Sequence, residues 1–261
     1  MSNGLENKMG LGMYTVHKSV AQDMKGTFAK LSDLGYRGIE FYGEPEFDIK
    51  LVRDALAASG LALTSWHIEW RNLQDDRFGR TAEYLNKVGC PIAVVPCLGG
   101  KWNIGHTPEM ESRDIWLGYT EWLNRTSDRL KREGIRTGYH NHEHEFMLNY
   151  DGKCVFDLLF DGLSDDVVVE FDSGNCIEGG DDPVRVLKKY GKRDVILHLK
   201  PYSAKNGFDT VLGDDDDLND WSAILDTSQW DFRWLLVESE CAVLPEFTNA
   251  ERCLKGLRKY L

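Results

Sequence analysis

The sequence predicts an α/β protein folded as a single (β/α)8 barrel of the TIM type. Three observations predict it. Short apolar runs alternate with longer amphipathic runs from end to end, which implies parallel strands joined by right-handed helical crossovers. The chain has 261 residues, close to the roughly 250 typical of such barrels. The first apolar run is followed by Tyr14-Thr15-Val16-His17-Lys18. An open doubly wound sheet usually carries a Gly-rich phosphate loop there.

The strand-like runs lie near Leu11–Val16, Gly38–Tyr42, Leu61–Ile68, Pro91–Pro96, Ile135–His140, Val167–Phe171, Val195–Leu199 and Trp234–Val237. Helical patterns fill the intervals: Val20–Leu34, Ile49–Ser59, Gln74–Val88, Pro108–Arg132, Val155–Phe160, Pro183–Tyr190, Trp221–Leu225 and Pro245–Leu261. Gly35, Gly60, Gly89 and Gly134 each stand just past a helix, where a left-handed residue closes the last turn. Asp181-Asp182-Pro183 puts acid and proline at a helix start. No low-complexity linker divides the chain, so one domain over residues 1–261 is expected.

The net charge of −12 argues against nucleic acid or an anionic membrane as the main partner, since phosphate binding wants a basic footprint. Six scattered cysteines without a C-x-x-C read as reduced thiols and not as a disulfide frame. The N-terminus lacks an apolar signal core, and no apolar run is long enough to span a bilayer. A cytoplasmic protein is expected.

In such a barrel the site forms at the C-terminal ends of the strands. Residues two apart on a strand share a face. Strand five ends in His140 and His142, strand six in Glu170 and Asp172, strand seven in His198 and Lys200, and strand eight in Glu238 and Glu240. Strand three adds His67 and Glu69, and strand two ends at Glu40. So many ionisable groups in one cavity are costly unless something pairs them. A divalent ion such as Mn, Co, Zn or Mg suits carboxylates and imidazoles. Asp172, His198 and Glu238, joined by His140 or another strand-five group, could surround one ion. Glu170 and Glu240 could support these ligands or bridge an arginine.

The stretch GYHNHEHEF (138–146) holds three of the seven histidines. In it, Glu145 is placed near the substrate, and Glu143 and His144 on a solvated loop. Trp102 and His106, after strand four, are candidate pocket walls. The acidic run 214–217 lacks the EF-hand spacing of ligands and glycine, and reads as a solvated loop leading to an N-cap for the Trp221 helix. Trp116 and Trp122 read as outer-layer packing.

At these residues the chain resembles the sugar phosphate isomerase/epimerase group of xylose isomerase-like barrels, which also includes inosose dehydratases and endonuclease IV. The resemblance runs from LGMYTVHKSV through LGYRGIEFYG, SWHIEW, GYHNHEHEF, VVVEFDSGN and ILHLKPYS to LLVESE. YHNH-x-x-EF with D-x-G-N and H-L-K marks one branch of sugar isomerases. The resemblance implies metal ligands at Asp172, His198 and Glu238. The fourth is usually a strand-five glutamate, and here His140 takes its place, with His142 and Glu145 nearby. Other departures are Asn175 in place of a histidine, His17 in place of an arginine and Pro201 in place of an aspartate. A small-molecule sugar derivative is the implied partner, and association into a homo-oligomer is compatible with the group.

The implied chemistry is proton abstraction beside a carbonyl through an enediolate. His142 and Glu145 are candidate bases, Glu238 is both ligand and candidate base, and Lys200 steadies the oxyanion. Glu40, His67, Trp102, Glu170 and Asn175 complete the substrate-binding set. A metal-dependent isomerase or epimerase is the first expectation. A lyase or dehydratase acting on a keto-sugar, keto-glycoside or keto-inositol shares its first step. An endonuclease IV-like enzyme and a non-catalytic sugar-binding barrel are remoter alternatives.

Overall fold

Eight strands close into a barrel: β1 (Met9–Gly12), β2 (Gly38–Tyr42), β3 (Ala62–His67), β4 (Ile92–Val95), β5 (Arg136–His140), β6 (Val168–Asp172), β7 (Val195–Leu199) and β8 (Trp234–Val237). Their order round the sheet is β1-β8-β7-β6-β5-β4-β3-β2, and every neighbouring pair is parallel. This computed structural model describes residues 4–100, 112–226 and 228–260.

Around the sheet lie α1 (His17–Gln22), α2 (Met24–Leu34), α3 (Ile49–Ser59), α4 (Asp75–Val88), α5 (Arg113–Arg132), α6 (His144–Met147), α7 (Val155–Gly162), α8 (Ser173–Glu178), α9 (Pro183–Tyr190), α10 (Trp221–Ile224) and α11 (Glu246–Leu257). Trp116 on α5 is fully buried in the layer between helices and sheet. No helix among the described residues is long and apolar enough to cross a membrane.

Two departures from the sequence pattern have local causes. The apolar run Leu11–Val16 is strand only to Gly12. Met13–Val16 then turn as a 3-10 segment, and Thr15 accepts the Ser239 amide across the top of the barrel. The single helix expected over Val20–Leu34 is broken at Asp23, which is extended and accepts the Gly26 amide at 3.0 Å. An aspartate side chain that competes for backbone N–H groups starts a helix more readily than it continues one.

The inward faces set the height of the site. Ile92, Val94, Val168, Ile196 and Leu236 form a buried apolar cluster with Trp234 against it. Leu236 reaches into space that Gly10 leaves open, because a Cβ there would fall 2.5 Å from its Cδ2. Two residues further along each of three strands the inward column turns ionic: Val168–Glu170–Asp172, Ile196–His198–Lys200 and Leu236–Glu238–Glu240. The apolar plug thus closes the barrel below the charges. Leu236→Ala should cost about 2–5 kcal/mol of stability, read as a lower urea midpoint with unchanged slope. A cost below about 0.5 kcal/mol would show that the plug does not carry the barrel.

Candidate active site

Pairing across the sheet brings the ionic columns together. Asp172 stands opposite His198, His140 opposite Glu170, and Leu236 opposite His198. An irregularity between β2 and β3 sets Glu40 opposite Ser65 and Tyr42 opposite His67. Ser65 Oγ then donates to Glu40 Oε2 at 2.6 Å.

One ligand atom from each of His140, Asp172, His198 and Glu238 lies within 4.8 Å of the other three, and all four residues are buried. The local fold aims these atoms. Asp172 caps α8, where its Oδ1 accepts the Asn175 amide at 2.7 Å. Its Oδ2 is buried with no hydrogen-bond donor. Asn141 clamps the ends of β5 and β6, accepting the Asp172 amide at 2.9 Å and donating to the Asp172 carbonyl at 3.1 Å. His198 Nδ1 lies 2.8 Å from Glu238 Oε2. Two imidazoles and two carboxylates, one with an orphaned buried oxygen, fit a divalent cation.

Protons hold this charge cluster together when no cation does. Burial pushes Asp172 up to about 7 against the pull of Lys200. Burial and the Glu40 charge push Glu170 up to about 8. Burial works against charge on His67 and His198, but neighbouring carboxylates outweigh it, raising His67 to about 9 and His198 well above its ordinary value. Glu238 is held well below the usual carboxylate range, because Lys200 and His198 outweigh its burial. Glu40 falls to about 2: the histidines His67 and His198 overcome its burial.

Beside the ligand set, a cavity of about 380 Å³ opens. Its wall includes His142, Glu143, Asn175, Glu178, Lys200 and Glu240. Burial and the Lys200 charge lower His142 to about 3, so its imidazole is neutral. Lys200 stays charged although burial opposes it, because Glu238, Asp172 and Glu240 raise it. Its ammonium lies 3.2 Å from Glu238 and 2.5 Å from Glu240. Gly174 allows this packing: a Cβ there would sit 2.5 Å from the Lys200 carbonyl oxygen.

The acidic run is scaffold for the same lysine. Asp217 accepts from Gly213, Trp221 and Asn219, and Asn219 donates to the Lys200 carbonyl at 3.1 Å. The N-cap of α10 is Asp220.

The predicted residues His140, His142, Lys200, Glu238, Glu40, His67 and Asn175 all line this cavity, and Asp172 and His198 lie buried against it. Five readings need correction. Glu145 is turned away: it accepts from the Tyr139 hydroxyl at 2.5 Å and the His142 amide at 2.9 Å, and is absent from the cavity wall. It therefore holds the His142 backbone. His144 is not solvent-facing, because α6 folds it back to within 3.1 Å of the Leu98 carbonyl. Glu143, read as solvated, is buried and lines the cavity. Glu170 lies beneath the ligands, in contact with His67, His140 and His198, and does not line the cavity. Glu69 is past the strand and pairs with Arg71. Trp102 and His106 lie outside the described residues.

The family model of the xylose isomerase-like TIM barrel matches residues 28–260. The chain belongs to that family. This xylose isomerase-like barrel is 25% identical over 265 residues to inosose dehydratase of Clostridium perfringens, a match covering 87% of this chain and 85% of that protein. A sugar phosphate isomerase/epimerase from Parabacteroides distasonis superposes with a TM-score of 0.77 at 21% identity, covering 97% of this chain and 98% of that one. A D-allulose 3-epimerase from Methylomonas sp. superposes at 0.70 with 14% identity, covering 97% and 98%. At such identity the two structures speak to the fold.

The proton cluster sets a pH dependence for the metal-free protein. His67, raised to about 9 from 6.5, contributes stability that is fully present below pH 6.5 and lost as pH rises through about 9. Asp172 and Glu170 also keep protons that the unfolded chain has released, so their effect has the same sign. Urea unfolding of chelator-treated protein should show stability falling between pH 6.5 and 9, by about 1.4 kcal/mol per pH unit for each such proton. His67→Gln should flatten the slope. Stability rising over that window would contradict the charge assignment.

Proposed function

We propose that the chain removes a proton beside the carbonyl of an unphosphorylated keto-polyol and then expels a β-hydroxyl or β-alkoxyl group, as a metal-dependent lyase. One observation carries the reading. The cavity wall beside the ligand set carries both an imidazole, His142, and a lysine ammonium, Lys200. An imidazole lone pair can take a proton and an ammonium can give one, the two transfers an elimination needs once bound cation and substrate draw both groups toward the working pH.

His140, Asp172, His198 and Glu238 would hold a divalent ion, which would supply Lewis-acid polarisation of a carbonyl oxygen. His142 takes the proton from the adjacent carbon, and the electron pair moves toward the carbonyl. As it returns, the bond to the β-oxygen breaks, and the Lys200 ammonium protonates the departing oxygen. The products are an unsaturated ketone and water or an alcohol. His142 has gained a proton and Lys200 has lost one, so the net change is loss of the neutral leaving group. The inosose dehydratase relatives support this outcome by their name. The isomerase and epimerase outcome shares the first step and differs in where the proton returns.

The wall also selects against charge on the substrate. Among its described residues the wall carries Glu40, Glu143, Glu178, Glu238 and Glu240, and Lys200 is already paired to two of them. A phosphate would meet these carboxylates, which favours an uncharged substrate.

The test is to incubate Mn- or Co-loaded protein with keto-inositols, keto-glycosides and free ketoses in D2O and follow products by NMR and ultraviolet absorbance. Release of water or aglycone with a conjugated ketone is expected. His142→Ala and Lys200→Met should each slow it by about 10²–10⁴-fold. A ketose returned with inverted stereochemistry or a shifted carbonyl, and no leaving group, would replace the lyase reading with an isomerase.

A further inference from the structure

The wall of the cavity is chemically two-sided. Residues that follow β5 and β6 make one arc polar: His142, Glu143, Asn175 and Glu178. The arc over the consecutive strands β7, β8, β1 and β2 carries three aromatic rings instead, Phe208, Tyr14 and Tyr42. The proposed reaction uses none of the three. Tyr14 is 42% exposed, so it is not core packing. Apolar surface left open beside polar residues marks a binding groove.

Each ring is built into place. Tyr14 lies in the 3-10 turn that follows β1. His17 Nδ1 donates to the Tyr14 carbonyl at 2.7 Å, and the two rings stack with centroids 5.0 Å apart. Glu246 holds that corner by accepting the Lys18 and Ser19 amides, both at 2.9 Å. Tyr42, at the end of β2, meets Tyr14 edge-on at 5.4 Å. On the far side of β8, the segment after β7 folds back through Ser203 and Gly207, whose amides and carbonyls pair at 2.9 and 2.8 Å. Asp209 ties this turn to the segment after β8 by accepting the Ala242 amide at 2.8 Å. Phe208 stands between these two ties, edge-on to Tyr202 at 5.2 Å.

We infer that the aromatic arc is a subsite for a flat apolar ring carried by the leaving group, so that the substrate is a keto-glycoside with an aryl aglycone. The inference rests on the lyase reading and specifies its leaving group. The Lys200 ammonium lies 4.5 Å from the centre of the Phe208 ring. A leaving oxygen that reaches this lysine therefore has its substituent against Phe208, at the start of the aromatic arc. Rings pair favourably edge-on or offset at centroid separations of about 4.5–7 Å, and three rings offer such faces. A hydroxyl leaving as water has no substituent and would use none of them. Room is also present beyond the reacting centre. A further cavity of about 380 Å³ shares Tyr42 and runs over Gly43, Glu44, Glu46 and Phe47.

The chemistry fixes where the aglycone sits on the sugar. The C–H bond beside the carbonyl breaks, its electron pair forms a carbon–carbon double bond, and the glycosidic C–O bond breaks with its pair going to oxygen. His142 takes one proton and Lys200 gives one, so a neutral phenol departs. The carbonyl must then stand two carbons from the glycosidic carbon.

The test uses full-length protein and two pairs of probes. Phenyl and methyl glucosides that carry no keto group cannot eliminate, so calorimetric titration reads their binding apart from any reaction. The phenyl glucoside should bind at least about 10-fold tighter. Phe208→Ala and Tyr14→Ala should each lower that phenyl-to-methyl ratio several-fold. Phe208→Leu keeps the apolar bulk without the flat ring, and should lower the ratio even if the alanine variant does not fold. The matching phenyl and methyl keto-glycosides, with Mn-loaded protein, should release phenol with a kcat/KM at least about 10-fold above that for methanol. Equal binding and equal release for phenyl and methyl would overturn the inference and leave the lyase reading in place. Binding of neither glucoside would also overturn it. Isomerised keto-glycoside with no phenol or methanol released would remove the lyase reading and this inference together.

Discussion

Charge cannot be buried without something to balance it, and the top of this barrel is built around that constraint. Glu40, Glu170, Asp172, Glu238, His198 and Lys200 are all withdrawn from water at the ends of four strands. An isolated charge in such a place would cost several kcal/mol. The structure meets the cost with pairing. Lys200 answers Glu238 and Glu240 above, while His67 and His198 answer Glu40 and Glu170 below. The orphaned Asp172 oxygen is left over, at the point where two imidazoles and a second carboxylate converge.

Everything around that point serves position more than chemistry. The apolar plug sets the floor. Asn141 ties the two strand ends that carry His140 and Asp172. Asp217 and Asn219 hold the backbone of Lys200 from a segment that on composition alone is only acidic. Glu145 fixes the amide of His142. These contacts restrict each functional side chain to a narrow set of directions, which is how a site gains its geometry before substrate arrives.

Much of this was legible in the sequence, because period-two alternation acts on every strand. The pairs His140/His142, Glu170/Asp172, His198/Lys200 and Glu238/Glu240 could be read as inward from spacing alone. The spans Gly38–Tyr42, Ile49–Ser59, Pro183–Tyr190, Val195–Leu199 and Trp234–Val237 occur as the pattern places them. Alternation fails where the strand ends. Past His140 the chain turns into α6, so Glu145 faces Tyr139 and not the cavity, while His144 is drawn inward. Glu69 fails for the same reason at the end of β3. Depth is also invisible to a one-dimensional pattern. Glu170 and Asp172 share a face, but one lies under the ligands and the other among them. Asn141 carries a signal of its own, as a polar residue between two inward histidines.

The account turns on a cation bridging Asp172 and His198, and divalent metal content tests it most directly. The measurement is elemental analysis of purified protein beside the Asp172→Ala, His198→Ala double variant, both after exposure to Mn or Co and removal of free ion. The account predicts about one ion per chain in the wild type and none in the variant. No ion in either protein would contradict it, and would leave a barrel whose buried charges are balanced by protons alone.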